Sequence, residues 1–249
     1  WCLFSAMFIF AIGNGVCEAV VNPLTANLFP KAEAHYLNII HAGWPAGLVL
    51  GSVASAFMAA RTDTTGNITS TAVDWKIQMS LFLIPVIAYG VMLLGQKFPR
   101  SKVSAAGVSF GEMISTVFAP LMIILIIVHA LVGYVELGTD SWISKITGSI
   151  MASPTHGLIL FAYTSLLMFI LRFFAGPIVH RISPIGLLFV SAVLGFIGLQ
   201  LLGSATSVVF CVVAATIYAM GKTFLWPTML AVVSERFPKG GAVAIGVLG

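Results

Sequence analysis

A carboxylate and two amides lie at regular intervals within the apolar first segment of the chain. Asn14, Glu18 and Asn22 recur every four residues, so on a helix each is rotated by about 40° from the one before. A charge near the bilayer centre costs at least roughly 2.5 kcal/mol on insertion scales, so such a residue usually faces a water-filled cavity or a partner. We therefore expect Glu18 to bind a polar solute or a proton. The alternative is a structural hydrogen bond between packed helices.

A second polar stripe lies in the middle of the chain. His129, Gly133, Glu136 and Asp140 follow one another at steps of four, three and four residues, a spacing that places side chains on one helix face. Glu136 is the deepest carboxylate of the stripe. We expect it and His129 to face the same cavity as Glu18.

A lysine lies between two aromatic residues in the last long apolar segment. Tyr218, Lys222 and Trp226 are spaced by four residues, and aromatic faces suit sugar rings and cations alike. The alternative for the aromatic residues is packing, or a belt at the membrane interface.

The second apolar segment offers two more candidates, Asn38 and His41. An imidazole within a membrane helix can relay protons or bind a polar solute, and the alternative is a hydrogen bond to neighbouring backbone. Gly43, Gly47 and Gly51 in the same segment are spaced for close helix packing.

Composition places these segments in a membrane. Hydrophobic residues make up 59% of the chain and charged residues only 8%, against about 25% charged in soluble domains, and the mean hydropathy is +1.06. Apolar runs of about 20 residues can cross a bilayer as helices. The net charge of +4 is dispersed, so nucleic acid is not expected as a partner. The cysteines lack the spacing of a disulfide framework or a metal site, and we expect neither metal nor cofactor.

Seven spans are predicted, approximately at 1–29, 36–60, 76–95, 112–137, 154–176, 184–203 and 207–233, with an eighth beginning near 241. Capping signals support three of the starts: Ser109 with Glu112, Ser153 with Pro154, and Ser183 with Pro184. The sequence therefore predicts an all-α polytopic membrane protein.

Basic residues are unevenly distributed between alternate loops. The loops after the first, third, fifth and seventh spans hold eight: Lys31, Lys97, Arg100, Lys102, Arg172, Arg181, Arg236 and Lys239. The other loops hold three: Arg61, Lys76 and Lys145. Because lysine and arginine are enriched on the cytoplasmic side, we expect Lys31, 96–111, Arg181 and Arg236 inside, and 61–75 and 138–153 outside.

The first and seventh spans resemble repeats. When Asn22–Pro23 is aligned with Trp226–Pro227, Glu18 falls on Lys222, and both segments continue into Phe-Pro-Lys. We therefore expect two pseudo-symmetric halves, 1–95 and 112–249, joined by a cytoplasmic linker at 96–111. The repeat predicts that Glu18 and Lys222 face one another across a central cavity. Lys222 pairing with Glu136 is the alternative.

The motifs Gly15-x-x-Glu18-x-x-x-Asn22-Pro23 and Leu37-Asn38 followed by a glycine-rich helix resemble the fucose and related sugar permeases of the major facilitator superfamily. That resemblance implies a helical bundle of this type, incomplete at both ends, in which the chain covers helices 4 to 10. It also implies a proton-coupled sugar symporter, and we expect a monomer in the cell membrane, inner or plasma.

The segment from Gly176 to Ser183 is similar to the second copy of the superfamily's Gly-x-x-x-Asp-Arg-x-Gly gating loop. Gly176, His180 and Arg181 lie at the matching positions, with histidine in place of the aspartate. The resemblance implies a gating role for this loop, which the histidine weakens.

Three other classes of function agree less well with the sequence. The first is a facilitator for an organic anion, with Lys222 as the counter-charge. The second is a retinal protein, because seven spans with a lysine in the seventh could hold a Schiff base, but the third span has no carboxylate for a counter-ion. An enzyme is not expected, since no Ser-His pair or zinc-protease motif appears.

Overall fold

The computed structural model describes residues 1–58, 61–62, 68–99 and 101–249. The helices in those ranges are α1 Cys2–Leu28, α2 Glu33–His41, α3 Gly43–Met58, α4 Trp75–Ser80, α5 Leu83–Leu93, α6 Lys102–Ala105, α7 Phe110–Val117, α8 Pro120–Gly133, α9 Thr139–Ile150, α10 Pro154–Arg172, α11 Ala175–Gly203, α12 Val208–Lys222, α13 Leu225–Arg236 and α14 Gly241–Leu248. A π-helical turn, Tyr134–Gly138, joins α8 to α9. Strands β1 Arg61–Thr62 and β2 Ile68–Ser70 pair antiparallel.

Seven segments among the described residues are long and apolar enough to cross a bilayer, which confirms the predicted number. Spans 1 to 7 are Cys2–Leu28, Glu33–Ala54, Trp75–Leu93, Pro120–Ile150, Pro154–Arg172, Ala175–Gly203 and Val208–Arg236. The expected eighth helix is α14. The chain is a multi-pass membrane protein built almost entirely of helices.

The fourth span differs from its prediction at both ends. The segment 112–119 contributes to a separate short helix, α7, and the segment 138–153, predicted as an outer loop, is helical as far as Ile150. The segment was predicted as a loop because Asp140 and Lys145 interrupt the apolar run. Asp140 can lie within a span because Lys222 pairs with it.

All three predicted caps are present. Ser109 and Glu112 form a capping box, with the Ser109 N–H 2.8 Å from Oε2 of Glu112. Ser153 Oγ accepts the His156 N–H at 3.3 Å. Ser183 Oγ accepts the Gly186 N–H at 3.2 Å, and a positive φ of 65° at Ser183 breaks α11 there.

The chain divides into two compact units. The first comprises Trp1–Ala46 and Arg100–Gly249, and in it α1 packs on α14, α2 packs on α13 and α11, and α11 packs on α12. Its largest buried cluster includes Leu37, Met122 and Leu230. The second unit, Gly47–Pro99, contains most of α3, the strand pair, α4 and α5.

Parts of four expectations fall on residues that are not described. They are residues 59–60 of the predicted span 36–60, Arg100, counted among the inner loop cations and placed in the linker, and residues 63–67 of the expected outer segment 61–75.

The ends of spans 1 and 7 share one backbone geometry. Phe29 ends α1 with φ −121° and ψ 57°, and Phe237 ends α13 with φ −123° and ψ 60°. The two spans differ before these ends along the chain. Pro23 lies inside a continuous α1, whereas span 7 is interrupted between Lys222 and Leu225.

Candidate functional site

Span 1 and span 2 are joined by a chain of polar side chains. The Asn22 amide donates from Nδ2 to Oε2 of Glu18 at 3.1 Å, and its Oδ1 lies 2.9 Å from Nε2 of His41. Because an amide oxygen can only accept, His41 donates through Nε2. Asn22 is 2% exposed and Glu18 is half-buried. Asn14 is exposed on the same helix and lies outside this chain of bonds.

Arg172 extends this chain into the rest of the unit. Its guanidinium donates from Nη1 to the His41 carbonyl, from Nε to the Thr223 carbonyl at 2.9 Å, and from Nη2 to Oε1 of Glu136 at 3.0 Å. Arg172 is 1% exposed and Glu136 3% exposed. The guanidinium therefore connects residues of spans 2, 4 and 7.

Arg172 was predicted to be a loop cation, and that prediction is wrong. It is a buried member of an ion pair at the end of α10. Without it the inner side holds seven basic residues against three, and the predicted orientation is unchanged. The available signal was that position 172 falls inside the predicted span 154–176.

Lys222 forms the second buried ion pair, with Asp140. Its Nζ also lies 5.3 Å from the centre of the Tyr218 ring, and the Tyr218 hydroxyl donates to the Val135 carbonyl at 2.6 Å. Glu136 was the predicted alternative partner of Lys222, and that pairing is wrong, because the lysine pairs with Asp140, a carboxylate of span 4 that was not among the predicted site residues. The placement of Glu18 and Lys222 on opposite sides of one cavity stays a prediction.

The π-turn accounts for this exchange of partners. A π-turn holds more residues per turn than an α-helix, so the residues beyond it are rotated relative to an unbroken helix. Glu136 lies within the turn and contacts Arg172, whereas Asp140 lies beyond it and contacts Lys222. We define the buried polar cluster as Glu18, Asn22, His41, Glu136, Asp140, Arg172 and Lys222.

His129 and Trp226 are brought together beside the cluster. Their ring centres are 4.3 Å apart, tilted by 54°, and a side chain at Gly133 would meet the Trp226 ring at 3.2 Å. His129 is 2% exposed, and within the described part of the chain neither of its ring nitrogens has a hydrogen-bond partner. This pair presents an imidazole with free polar atoms against an indole face.

Asn38 lies between α2 and α13, and its Oδ1 has no hydrogen-bond partner among the described residues. It is fully buried, and its Nδ2 donates to the Ala34 carbonyl at 2.7 Å and to Oγ1 of Thr228 at 3.2 Å. The bond to Thr228 joins α2 to α13.

The predicted gating loop is helical rather than a loop, because α11 begins at Ala175. Gly176 is buried, and its N–H donates to Nδ1 of His35 at 3.1 Å, a contact that sequence reasoning missed. A side chain at position 176 would lie 2.8 Å from the His35 ring. His180 and Arg181 are exposed.

Protein covers most of the cluster. Asn22, Glu136, Arg172 and Lys222 are at most 3% exposed, and Glu18, His41 and Asp140 are partly exposed. A cavity of about 530 Å³ lies near the ends of α1 and α13, bordered by Pro23, Glu33 and Lys239. Among the described residues no group of three or more His, Cys, Asp or Glu could hold a metal ion.

Comparison with known proteins identifies one family. A sequence profile described as Major Facilitator Superfamily matches residues 1–249. Neither the curated proteins nor the solved structures contain a significant match to the chain.

Proposed function

The chain belongs to the major facilitator superfamily, and on that premise we propose that it is a proton-coupled transporter of a sugar or a similar uncharged polar solute. The family is one of secondary transporters and not of enzymes. Transport by alternating access, in a cell membrane and as a monomer, is part of the proposal.

The charge balance of the buried polar cluster carries the choice of solute. Arg172 is paired with Glu136 and Lys222 with Asp140, so both buried cations already have a counter-charge. An organic anion would have to displace one of these carboxylates. This argues against the anion facilitator, whose counter-charge was to be Lys222.

Acceptors remain for the hydroxyl groups of a sugar. Oε2 of Glu136 and Oδ2 of Asp140 are buried and have no hydrogen-bond partner among the described residues. Elsewhere along span 4, the free nitrogens of His129 lie against the Trp226 face. A few polar groups against an aromatic surface suit a small polar ring.

Glu18 is the candidate proton carrier. Its carboxylate lies within span 1, half-buried, and is bonded to Asn22. An ionisable group in this setting can hold a proton in one conformation and release it in another. In this scheme Asn22 orients the solute and His41 fixes the orientation of Asn22.

A retinal protein is not favoured. Lys222 does have a carboxylate partner, Asp140, but the family match covers the whole chain and is to transporters.

Uptake by the protein in proteoliposomes tests the proposal. Labelled sugars and organic acids are offered with and without a proton gradient, and we expect a sugar to accumulate only with the gradient. Glu18→Gln should abolish accumulation and keep exchange, while the control Glu112→Gln, on α7 outside the spans, should keep both. Uptake of organic acids without uptake of sugars would overturn the proposal.

A further inference from the structure

Arg172 donates to two backbone carbonyls, and each belongs to a residue four positions before a proline. In span 2 the His41 carbonyl accepts from Nη1, and position 45 is proline. In an unbroken helix this carbonyl would accept the N–H of residue 45, but proline has none. The next bond along the helix is present, from the Ala46 N–H to the Ala42 carbonyl at 3.2 Å. Arg172 thus supplies a donor that the helix itself lacks.

The same arrangement occurs in span 7. The Thr223 carbonyl accepts from Nε of Arg172 at 2.9 Å, and position 227 is proline. The following bond, from the Thr228 N–H to the Phe224 carbonyl, is again present at 3.2 Å. A buried carbonyl without a donor costs about as much as a lost hydrogen bond, so Arg172 stabilises both breaks.

The third nitrogen of the guanidinium is held by the π-turn. Nη2 donates to Glu136 at 3.0 Å, and Glu136 lies inside the turn. A guanidinium is a rigid planar fork that can serve several acceptors at once, which an ammonium cannot do in the same geometry. Irregularities of spans 2, 4 and 7 therefore meet at one side chain of span 5.

We propose that Arg172 is a positioning residue that couples bending at the proline break of span 2 to bending at the proline break of span 7. Discontinuous helices form the substrate and ion sites of many secondary transporters. Movement at either break pulls a carbonyl away from the shared guanidinium, which then no longer holds the other carbonyl in place. Glu136 fixes the plane of the guanidinium. The inference goes beyond the proposed solute and does not depend on it.

Hydrogen exchange of the full protein in detergent tests the coupling without any solute. Arg172→Lys keeps the positive charge for Glu136 but offers a single nitrogen. We expect amide exchange to become about tenfold faster in both 42–49 and 224–231, since one hydrogen bond to a charged group is lost at each break. Peptides of α7 serve as the reference for global unfolding and should not change.

Replacing either proline by alanine restores a backbone N–H donor for the carbonyl four residues earlier. In Pro45→Ala, residue 45 can donate to the His41 carbonyl, so adding Arg172→Lys should then accelerate exchange only in 224–231. Pro227→Ala should give the converse result. If Arg172→Lys alone does not fold, the proposal expects the triple variant with both alanines to fold.

Three results would overturn the proposal. The first is an exchange rate that changes at only one of the two breaks in Arg172→Lys. The second is that the proline replacements do not alter the effect of Arg172→Lys on exchange, and the third is a triple variant that remains unfolded.

Discussion

The ion pair between Lys222 and Asp140 offers a direct measurement of how the site is held together. The lysine side chain is 0% exposed and the aspartate side chain 9% exposed. Replacing Lys222 by methionine keeps an unbranched side chain of similar length but removes the ammonium. The Asp140 carboxylate is then left within the span without its cation.

The expected cost follows from that burial. Breaking a buried pair by removing one partner costs about 3 to 5 kcal/mol, because the remaining charge is uncompensated. Since Asp140 keeps a small exposed fraction, we expect the lower end, about 3 kcal/mol, which is roughly a 150-fold change in the unfolding equilibrium. Adding Asp140→Asn removes the stranded charge, so the double variant should be more stable than Lys222→Met alone.

Equilibrium unfolding in mixed micelles, followed by tryptophan fluorescence, measures these differences. Lys145→Met is the matched control, because Lys145 is an exposed lysine on the same helix as Asp140 and lies 5.0 Å from the Trp142 ring. It should cost no more than about 0.5 kcal/mol. A Lys222→Met variant as stable as this control, or a double variant that shows the sum of two separate losses, would refute the reasoning.

Three further predictions concern orientation, coupling and a helix cap. An impermeant maleimide added from outside should label a single cysteine at Thr64 but not at Ser101, and the reverse pattern would invert the topology. Glu18→Gln should lose gradient-driven accumulation while retaining exchange, and unchanged accumulation would remove Glu18 from the mechanism. Hydrogen bonds from Ser109 hold the pKa of Glu112 below its ordinary value, so the stability the cap contributes is present above the ordinary pKa and is lost as pH falls through the lowered one. In Ser109→Ala the Glu112 carboxyl should titrate, by NMR, nearer its ordinary value, and an unchanged midpoint would contradict the assignment.

Local features of the chain were predictable because their causes lie within a few residues. The number of spans follows from hydropathy over about 20 residues, and the caps at Ser109, Ser153 and Ser183 depend on bonds that reach three residues. The Asn22 to Glu18 bond is of the same kind, since both lie one turn apart on one helix.

Partners across helices could not be predicted in the same way. Which carboxylate meets Lys222 depends on the rotation of span 4, and that rotation is set by the π-turn, for which the pattern of His129, Glu136 and Asp140 gave no sign. A pattern of constant helical spacing assumes an unbroken helix. Glu136 and Asp140 were therefore predicted to lie on the same helix face, although they contact different cations.

Arg172 shows the limit most clearly. An arginine near the end of a predicted span can be an exposed loop cation or a buried hydrogen-bond donor. Only the tertiary structure places Arg172 within reach of His41, Thr223 and Glu136. The prolines that create its two carbonyl acceptors are visible in the sequence. The sequence by itself therefore determined which carbonyls lack a helical donor, because that depends on a missing N–H four residues away. The packing of four spans decided which side chain supplies the donor, because that choice depends on distances between residues 131 and 51 positions apart along the chain.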